Sequence, residues 1–174
     1  MSAGRLRLGE VLTGVGALGL LVSLFLNWFG LNAGAFPGPF AKVVAAALTK
    51  DGWSSLGWLM VLILVVAILL AGWLVVAALR SDSVAQAVGA ALLTASFGTL
   101  AFVVLVVRVA TQPDLGIGAS NAVVDVEAGA YLGLLFCALL AIGGWIALAD
   151  ERTDAPESRV TPPEARPVPP LTDI

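Results

Sequence analysis

Residues 56–79 read LGWLMVLILVVAILLAGWLVVAAL, a continuous apolar run without Asp, Glu, Lys, Arg or His. A membrane-spanning helix needs about 20 consecutive, mostly apolar residues. Three further stretches, Val11–Phe29, Val84–Val107 and Ala128–Ala149, also lack ionisable residues. With Leu56–Leu79 they predict an all-α fold, a bundle of four transmembrane helices.

The composition supports a membrane protein. The chain has 174 residues, of which 59% are hydrophobic and 12% charged, and its mean hydropathy is +0.99. A typical soluble domain is about half apolar and about a quarter charged. We therefore expect one membrane domain over residues 1–152, with the lipid bilayer as its partner and the cell membrane as its location. The net charge of −3 gives no reason to expect a nucleic-acid ligand.

The last residues differ in character from the rest of the chain. The segment after Ala149 carries six of the nine prolines and no aromatic residue. Such a segment cannot bury enough apolar surface to offset the entropy of ordering it, so we expect residues 153–174 to be a disordered cytoplasmic tail. Pro167–Pro170 also fits the PxxP spacing that polyproline-binding grooves recognise, although a solvated tail is the simpler interpretation.

The cations predict how the helices are oriented. Cytoplasmic loops of membrane proteins carry an excess of Lys and Arg. With the N-terminus inside, six cations fall on the cytoplasmic side and three outside, which places both termini in the cytoplasm. The two sets are Arg5, Arg7, Arg80, Arg152, Arg159 and Arg166, and Lys42, Lys50 and Arg108.

The connections between the predicted spans differ in length. Arg80–Ser83 is short enough to require an antiparallel helix hairpin. In the first outer loop, the apolar segment Phe40–Leu48 predicts a short interfacial helix, and Trp28 with Phe29 is interpreted as an interfacial anchor. The second outer loop, Thr111–Glu127, is expected to be irregular.

Small residues recur along two of the predicted spans. Small side chains let helix backbones approach closely. We favour packing within the bundle for these residues over homodimerisation, which stays open. They are Gly129, Gly133, Cys137 and Ala141 in the last span, and Ala91 and Ala95 in the third.

Charged residues collect around the predicted second outer loop. Arg108 ends the third span, and Asp114, Asp125 and Glu127 follow it. They could form an outer polar cluster joined by a salt bridge. We favour the alternative that Arg108 snorkels to the lipid headgroups.

The residue inventory argues against an enzyme. The chain has no histidine and a single cysteine, Cys137, so it lacks the commonest general base, the commonest metal ligand and any CxxC motif. The hydroxyls inside the spans have no base beside them. We therefore predict no catalytic residue, no metal and no cofactor.

Three strings resemble small four-helix membrane proteins of actinobacteria. Ser23–Phe29 is similar to the SLFLPWY end of their first span, and Gly52–Trp58 to the start of their second. Gly129–Leu134, through Gly143–Trp145 to Asp150–Arg152, resembles their fourth span. Asn27 stands where that pattern has Pro. The resemblance covers residues 5–152 and implies a four-span fold, but no activity.

Two functions remain as hypotheses. The first is a non-enzymatic scaffold or accessory protein of the cell envelope, with a partner that is either another membrane protein or a second copy of the chain. The alternative is a subunit of a small transporter or channel. A water-lined path needs polar groups that face the bundle interior, and Asn27 with the hydroxyls of the third span are the candidates for it.

Overall fold

The computed structural model describes residues 6–32, 34, 41–80, 84–112 and 123–153. These residues form six helices and three strands. The helices are α1 (Leu8–Ser23), α2 (Ala41–Ala47), α3 (Gly52–Ser55), α4 (Trp58–Arg80), α5 (Val84–Thr111) and α6 (Ala128–Thr153), and the strands are β1 (Asn27–Leu31), β2 (Lys50–Asp51) and β3 (Val124–Val126).

Four of the helices pack as a bundle. α1 contacts α6 and α4, and α5 contacts the same two helices from the other side. α1 and α6 are antiparallel, because Gly9 lies against Ala147 at one end of the pair and Asn27 lies against Gly129 at the other. The beginning of α1 and the end of α6 therefore share one end of the bundle.

Three helices have the length and composition of membrane spans. They are Trp58–Arg80, the Gln86–Thr111 part of α5, and the Ala128–Asp150 part of α6, with hydropathies of 3.2, 2.3 and 2.3. These helices indicate a membrane protein. α1 is apolar but shorter, at 16 residues. The structure thus confirms a predominantly helical fold and indicates a membrane protein, while the predicted first span, Val11–Phe29, corresponds to a helix that is short for a membrane span.

The predicted first span is wrong at its end. The helix stops at Ser23, and backbone hydrogen bonds from Phe25 to Val22 and from Leu26 to Ser23 turn the chain before it enters β1. Trp28 and Phe29 are completely buried, so they are not an interfacial anchor. Their rings pack inside the protein because the chain turns back over the helix ends.

A small antiparallel sheet caps this end of the bundle. The strand order is β2-β1-β3, with Phe29 of β1 opposite both Lys50 of β2 and Val126 of β3. The predicted all-α fold therefore lacked this sheet, and the end of the second outer loop, which was expected to be irregular, forms strand β3. We call the three strands with α2 and α3 the sheet cap, and this end of the bundle the sheet end.

The other connections agree with the sequence in part. A short helix, α2, lies within the predicted segment Phe40–Leu48. α4 ends at Arg80 and α5 begins at Val84, and the two helices pack together. Asp114 and the Pro-rich residues from 154 onwards, including Pro167–Pro170, lie outside the described residues.

Candidate functional site at the sheet end

Trp28 attaches the sheet cap to α6. Its indole N–H donates to the carbonyl oxygen of Ser23 at 2.6 Å, and its ring lies over a glycine of α6. A Cβ atom on Gly133 would be 2.5 Å from Cζ2 of Trp28, and one on Gly129 would be 2.5 Å from the carbonyl oxygen of Asn27. Only glycine leaves room for the tryptophan and the strand at these two positions.

The remaining small residues of the predicted stripes lie between helices. Cys137 and Ala141 are buried, and Ala141 faces Gly98 of α5, where an added Cβ would be 3.1 Å from the Ala141 Cα. Ala91 and Ala95 are completely buried. A Cβ on Gly144 would be 2.9 Å from the backbone nitrogen of Ala95, so α5 and α6 approach closely there.

Asp51 organises the beginning of α3. Its carboxylate accepts hydrogen bonds from the side-chain hydroxyl and the backbone N–H of Ser54, the latter at 2.9 Å. Hydrogen bonds to the charged form favour that form. The side-chain bond and then the backbone bond from Ser54 therefore hold the pKa of Asp51 below its ordinary value of 3.8. The Ser55 hydroxyl also donates to the Asp51 backbone carbonyl, at 2.6 Å.

α3 is fastened to the end of α1. The Gly52 N–H donates to the Leu24 carbonyl at 3.0 Å, and a Cβ on Gly52 would be 2.9 Å from the Leu24 Cα. The rings of Phe25 and Trp53 meet with centroids 5.6 Å apart. These contacts place α3 directly over the last turn of α1.

Arg108 joins α3 to the end of α5. Its Nη2 donates to the Ser55 carbonyl at 2.9 Å. Nε of Arg108 and Nε1 of Trp53 are also buried, and neither has a hydrogen-bond partner among the described residues. The half-buried guanidinium is therefore bound to α3 through Nη2, and contact of Arg108 with lipid headgroups stays a prediction.

The two described acids of the predicted polar cluster, Asp125 and Glu127, lie beside β1. Asp125 is exposed on β3, where it pairs with Gly30 of β1. The Glu127 N–H donates to the Trp28 carbonyl at 2.9 Å, and its carboxylate lies beside Gly30. The structure thus brings these two acids to β1 and brings Arg108 to α3.

Hydroxyl groups inside the bundle bond mostly to backbone carbonyls. Ser23 and Thr99 donate within their own helices, to Leu20 and Ala95, each at 2.7 Å. Thr94 donates across to Leu70 of α4 at 3.1 Å. The Thr13 hydroxyl is completely buried and has no partner among the described residues.

One tryptophan links two of the long helices. The Trp145 indole N–H donates to the Thr99 hydroxyl of α5 at 3.0 Å. The described residues contain no group of three or more His, Cys, Asp or Glu side chains that could hold a metal ion.

The sequence reasoning missed Trp28, Trp53 and Ser55. The two tryptophans look like ordinary interfacial residues because each follows or precedes a long apolar run. Asp51–Ser54 carries the usual N-cap signal, an Asp three residues before a backbone N–H donor. That signal would have predicted α3, although not its contact with Arg108.

Comparison with protein-family models, with curated proteins and with solved structures finds no match to this chain. The resemblance to four-span actinobacterial proteins stays a prediction from the three strings quoted above.

Proposed function

We propose that the chain is an integral protein of the cell membrane that acts as a non-enzymatic scaffold or accessory protein, with the sheet cap as the surface offered to a partner. The observation that supports this most is the rigid attachment of the cap. Trp28 and Gly52 connect it to the end of α1, and Arg108 connects it to α5, through short hydrogen bonds to backbone groups.

A rigid cap is suited to holding a partner. Ordering a flexible loop on binding costs conformational entropy, and a surface that is already ordered avoids that cost. Asp125 on β3 and Ser54 on α3 are exposed and lie on ordered elements. The partner is either another membrane protein or a second copy of the chain.

The packing of the bundle favours this function over a transporter or channel subunit. Conduction requires polar groups that face a water-filled path. Thr13, Ser23 and Thr94 are buried, and the hydroxyls of the latter two already donate to carbonyl oxygens. Close contacts at Gly9, Gly16 and Gly144 also fill the spaces between helices.

We also propose that α1 crosses the membrane, which would give the protein four spans, and that both termini are cytoplasmic. The cation split supports this orientation. The 16 residues of α1 are about 24 Å long at about 1.5 Å per residue, and the turn to Leu26 continues their apolar surface, against the roughly 30 Å of a bilayer core. Phe25 and Leu26 are both exposed on that turn, as residues that contact lipid would be.

Site-specific photo-crosslinking in the native membrane tests the proposed function. A photoreactive amino acid would replace Asp125 on the cap. In a matched control strain it would replace Leu69, which is exposed on α4. We expect a discrete protein adduct, either a heteromer or a dimer of the chain, from position 125 and none from position 69. Adducts from position 69 alone would place the partner on the helices and contradict a cap scaffold.

A flux assay tests the alternative function, a transporter or channel subunit. Purified protein in sealed vesicles would be tested for passage of water, protons and small ions against protein-free vesicles. The scaffold proposal predicts equal rates. A rate increase that Thr94→Val abolishes would favour a transporter or channel, because it would assign a polar path to the bundle interior.

A further inference from the structure

An apolar groove runs along the outside of the bundle between α1 and α6. Its volume is about 370 Å³. Its walls come from three residues of α1, from one residue of the turn that follows α1, and from two residues of α6: Val15, Leu18 and Val22, then Leu26, then Leu132 and Phe136. Leu18 and Val22 are 68% and 61% exposed, so the groove opens at the surface that the membrane would contact.

The floor of the groove is closed. The ring of Phe136 lies where a side chain on Gly19 would be, and Ser23 is 1% exposed with its hydroxyl bonded to the Leu20 carbonyl. Two helices can pack through small residues only where no other side chain covers those residues, because their backbones must approach closely. Gly19 and Ser23 are already covered, so another helix cannot use them in that way.

The size of the groove also argues against a protein occupant. Eight residues line it. A stable protein interface uses about 20–30 residues on each side. A helix with its side chains is about 10–12 Å across. The groove is therefore too small to be the seat of a second copy of the chain.

The length of the groove is comparable with one leaflet of a bilayer. Within α1 the groove runs from Val15 to Ser23, which is about 12 Å at about 1.5 Å per residue, and Leu26 on the following turn continues its wall. Half of a typical bilayer core is about 15 Å. Leu26 lies next to the sheet end, where a Cβ on Gly129 would be 2.9 Å from the Leu26 Cβ.

We propose that this groove binds one acyl chain of a membrane phospholipid from the leaflet at the sheet end. The acyl chain lies against Val22 on one wall and Leu132 on the other, and the Phe136 ring forms the floor. Recognition is through apolar contact along the chain, so the headgroup contributes little. This proposal is independent of the scaffold function and rests on the proposed crossing of the membrane by α1.

Native mass spectrometry of the reconstituted full-length protein tests it. Protein would be inserted into vesicles of dioleoyl phosphatidylglycerol, extracted with detergent and weighed with its retained lipid. We expect one retained phospholipid on the unaltered protein. V22W fills the groove with an indole ring and should lose that lipid. V11W is the control, because Val11 is also exposed on α1 but lies outside the groove.

Melting curves would show whether each variant folds. If V22W does not fold, L132W tests the proposal in its place, because it fills the groove from α6. Retention should be the same from dioleoyl phosphatidylcholine vesicles. Equal lipid retention by the unaltered protein and the groove variants would overturn the proposal, and so would no retention by the unaltered protein. It would also be overturned by retention that depends on the headgroup, or by a dimer that V22W dissociates.

Discussion

At the scale of single residues, Trp28 and Arg108 hold the sheet cap to the helices. Each donates to a backbone carbonyl near a helix end, Trp28 to Ser23 and Arg108 to Ser55. Helix ends leave carbonyl groups without partners inside the helix, and a buried polar group without a partner is costly. The two side chains therefore stabilise the cap by satisfying groups that the helices cannot satisfy themselves.

Replacement of Arg108 should show this directly. R108L removes the donor and leaves the Ser55 carbonyl without its bond, and a hydrogen bond to a charged group contributes about 1.5–3 kcal/mol. We expect that loss in the free energy of unfolding, measured in detergent. R80L is the control, because Arg80 is exposed at the end of α4. Equal losses in the two variants would show that Arg108 does not hold α3.

Asp51 should make stability depend on pH. Its folded-state pKa is lowered by Ser54, so its contribution is present above the unfolded-state pKa, about 3.9, and is lost as pH falls through the lower folded-state value. D51N keeps the N-cap but not the charge. The stabilities of the two proteins should converge as the pH is lowered from about 6 to about 3. Because Asp51 is only half-buried, the difference should be small. Parallel curves would contradict the assignment.

At the scale of elements, the α1–α6 pair is the tightest contact in the bundle. A Cβ on Gly9 would be 2.5 Å from the backbone nitrogen of Ala147, and one on Gly16 would be 2.5 Å from that of Leu140. Within a membrane, helices associate through close packing and hydrogen bonds, because lipid is as apolar as the side chains. The two glycines therefore set the distance between α1 and α6.

Two glycine-to-alanine substitutions separate packing from helix propensity. G16A places a methyl group against the α6 backbone, and overpacking typically costs about 1–3 kcal/mol. G72A lies in open space on α4, so it should be neutral or stabilising by up to about 1 kcal/mol, because alanine favours a helix. Thermal unfolding in detergent would compare them. A G16A protein as stable as G72A would mean that the two helices are not in close contact.

The sequence predicted the long helices but not the sheet. Long apolar runs without charges determine α4, α5 and α6 locally, and each begins or ends within four residues of the predicted bounds. β1 depends on pairing with Val124–Val126, far along the chain, and Asn27–Leu31 alone shows no clear alternation. The Val-Asp-Val pattern of β3 was a usable strand signal. The contact between Arg108 and Ser55 could not be predicted, because it requires α3 to lie over the end of α5.

At the scale of the whole molecule, the protein is a helical bundle with an ordered cap at one end. Contacts of β1 with α6, of α3 with α1 and of Arg108 with α3 connect the cap to helices on several sides. Cap and bundle should therefore unfold together.

Deletion of residues 154–174 should leave that unit intact. The segment is rich in proline and has no aromatic residue, so it can bury little apolar surface. The shortened protein should insert into the membrane and melt at the same temperature as the full chain. A clear fall in melting temperature would mean that these residues pack on the bundle.

The central claim is that α1 crosses the membrane, so that the cap lies outside and the beginning of α1 inside. Labelling of single introduced cysteines by a membrane-impermeant maleimide tests it most directly. The variants are L6C before α1, D125C on the cap and R80C at the opposite end of α4. The native Cys137 is completely buried, so the unaltered protein serves as the unlabelled control.

In intact cells, the account predicts that D125C is labelled and that L6C and R80C are labelled only after the membrane is permeabilised. If L6C is labelled in intact cells together with D125C while R80C is protected, α1 does not cross the membrane. The protein would then have three spans, and the proposed topology would be wrong.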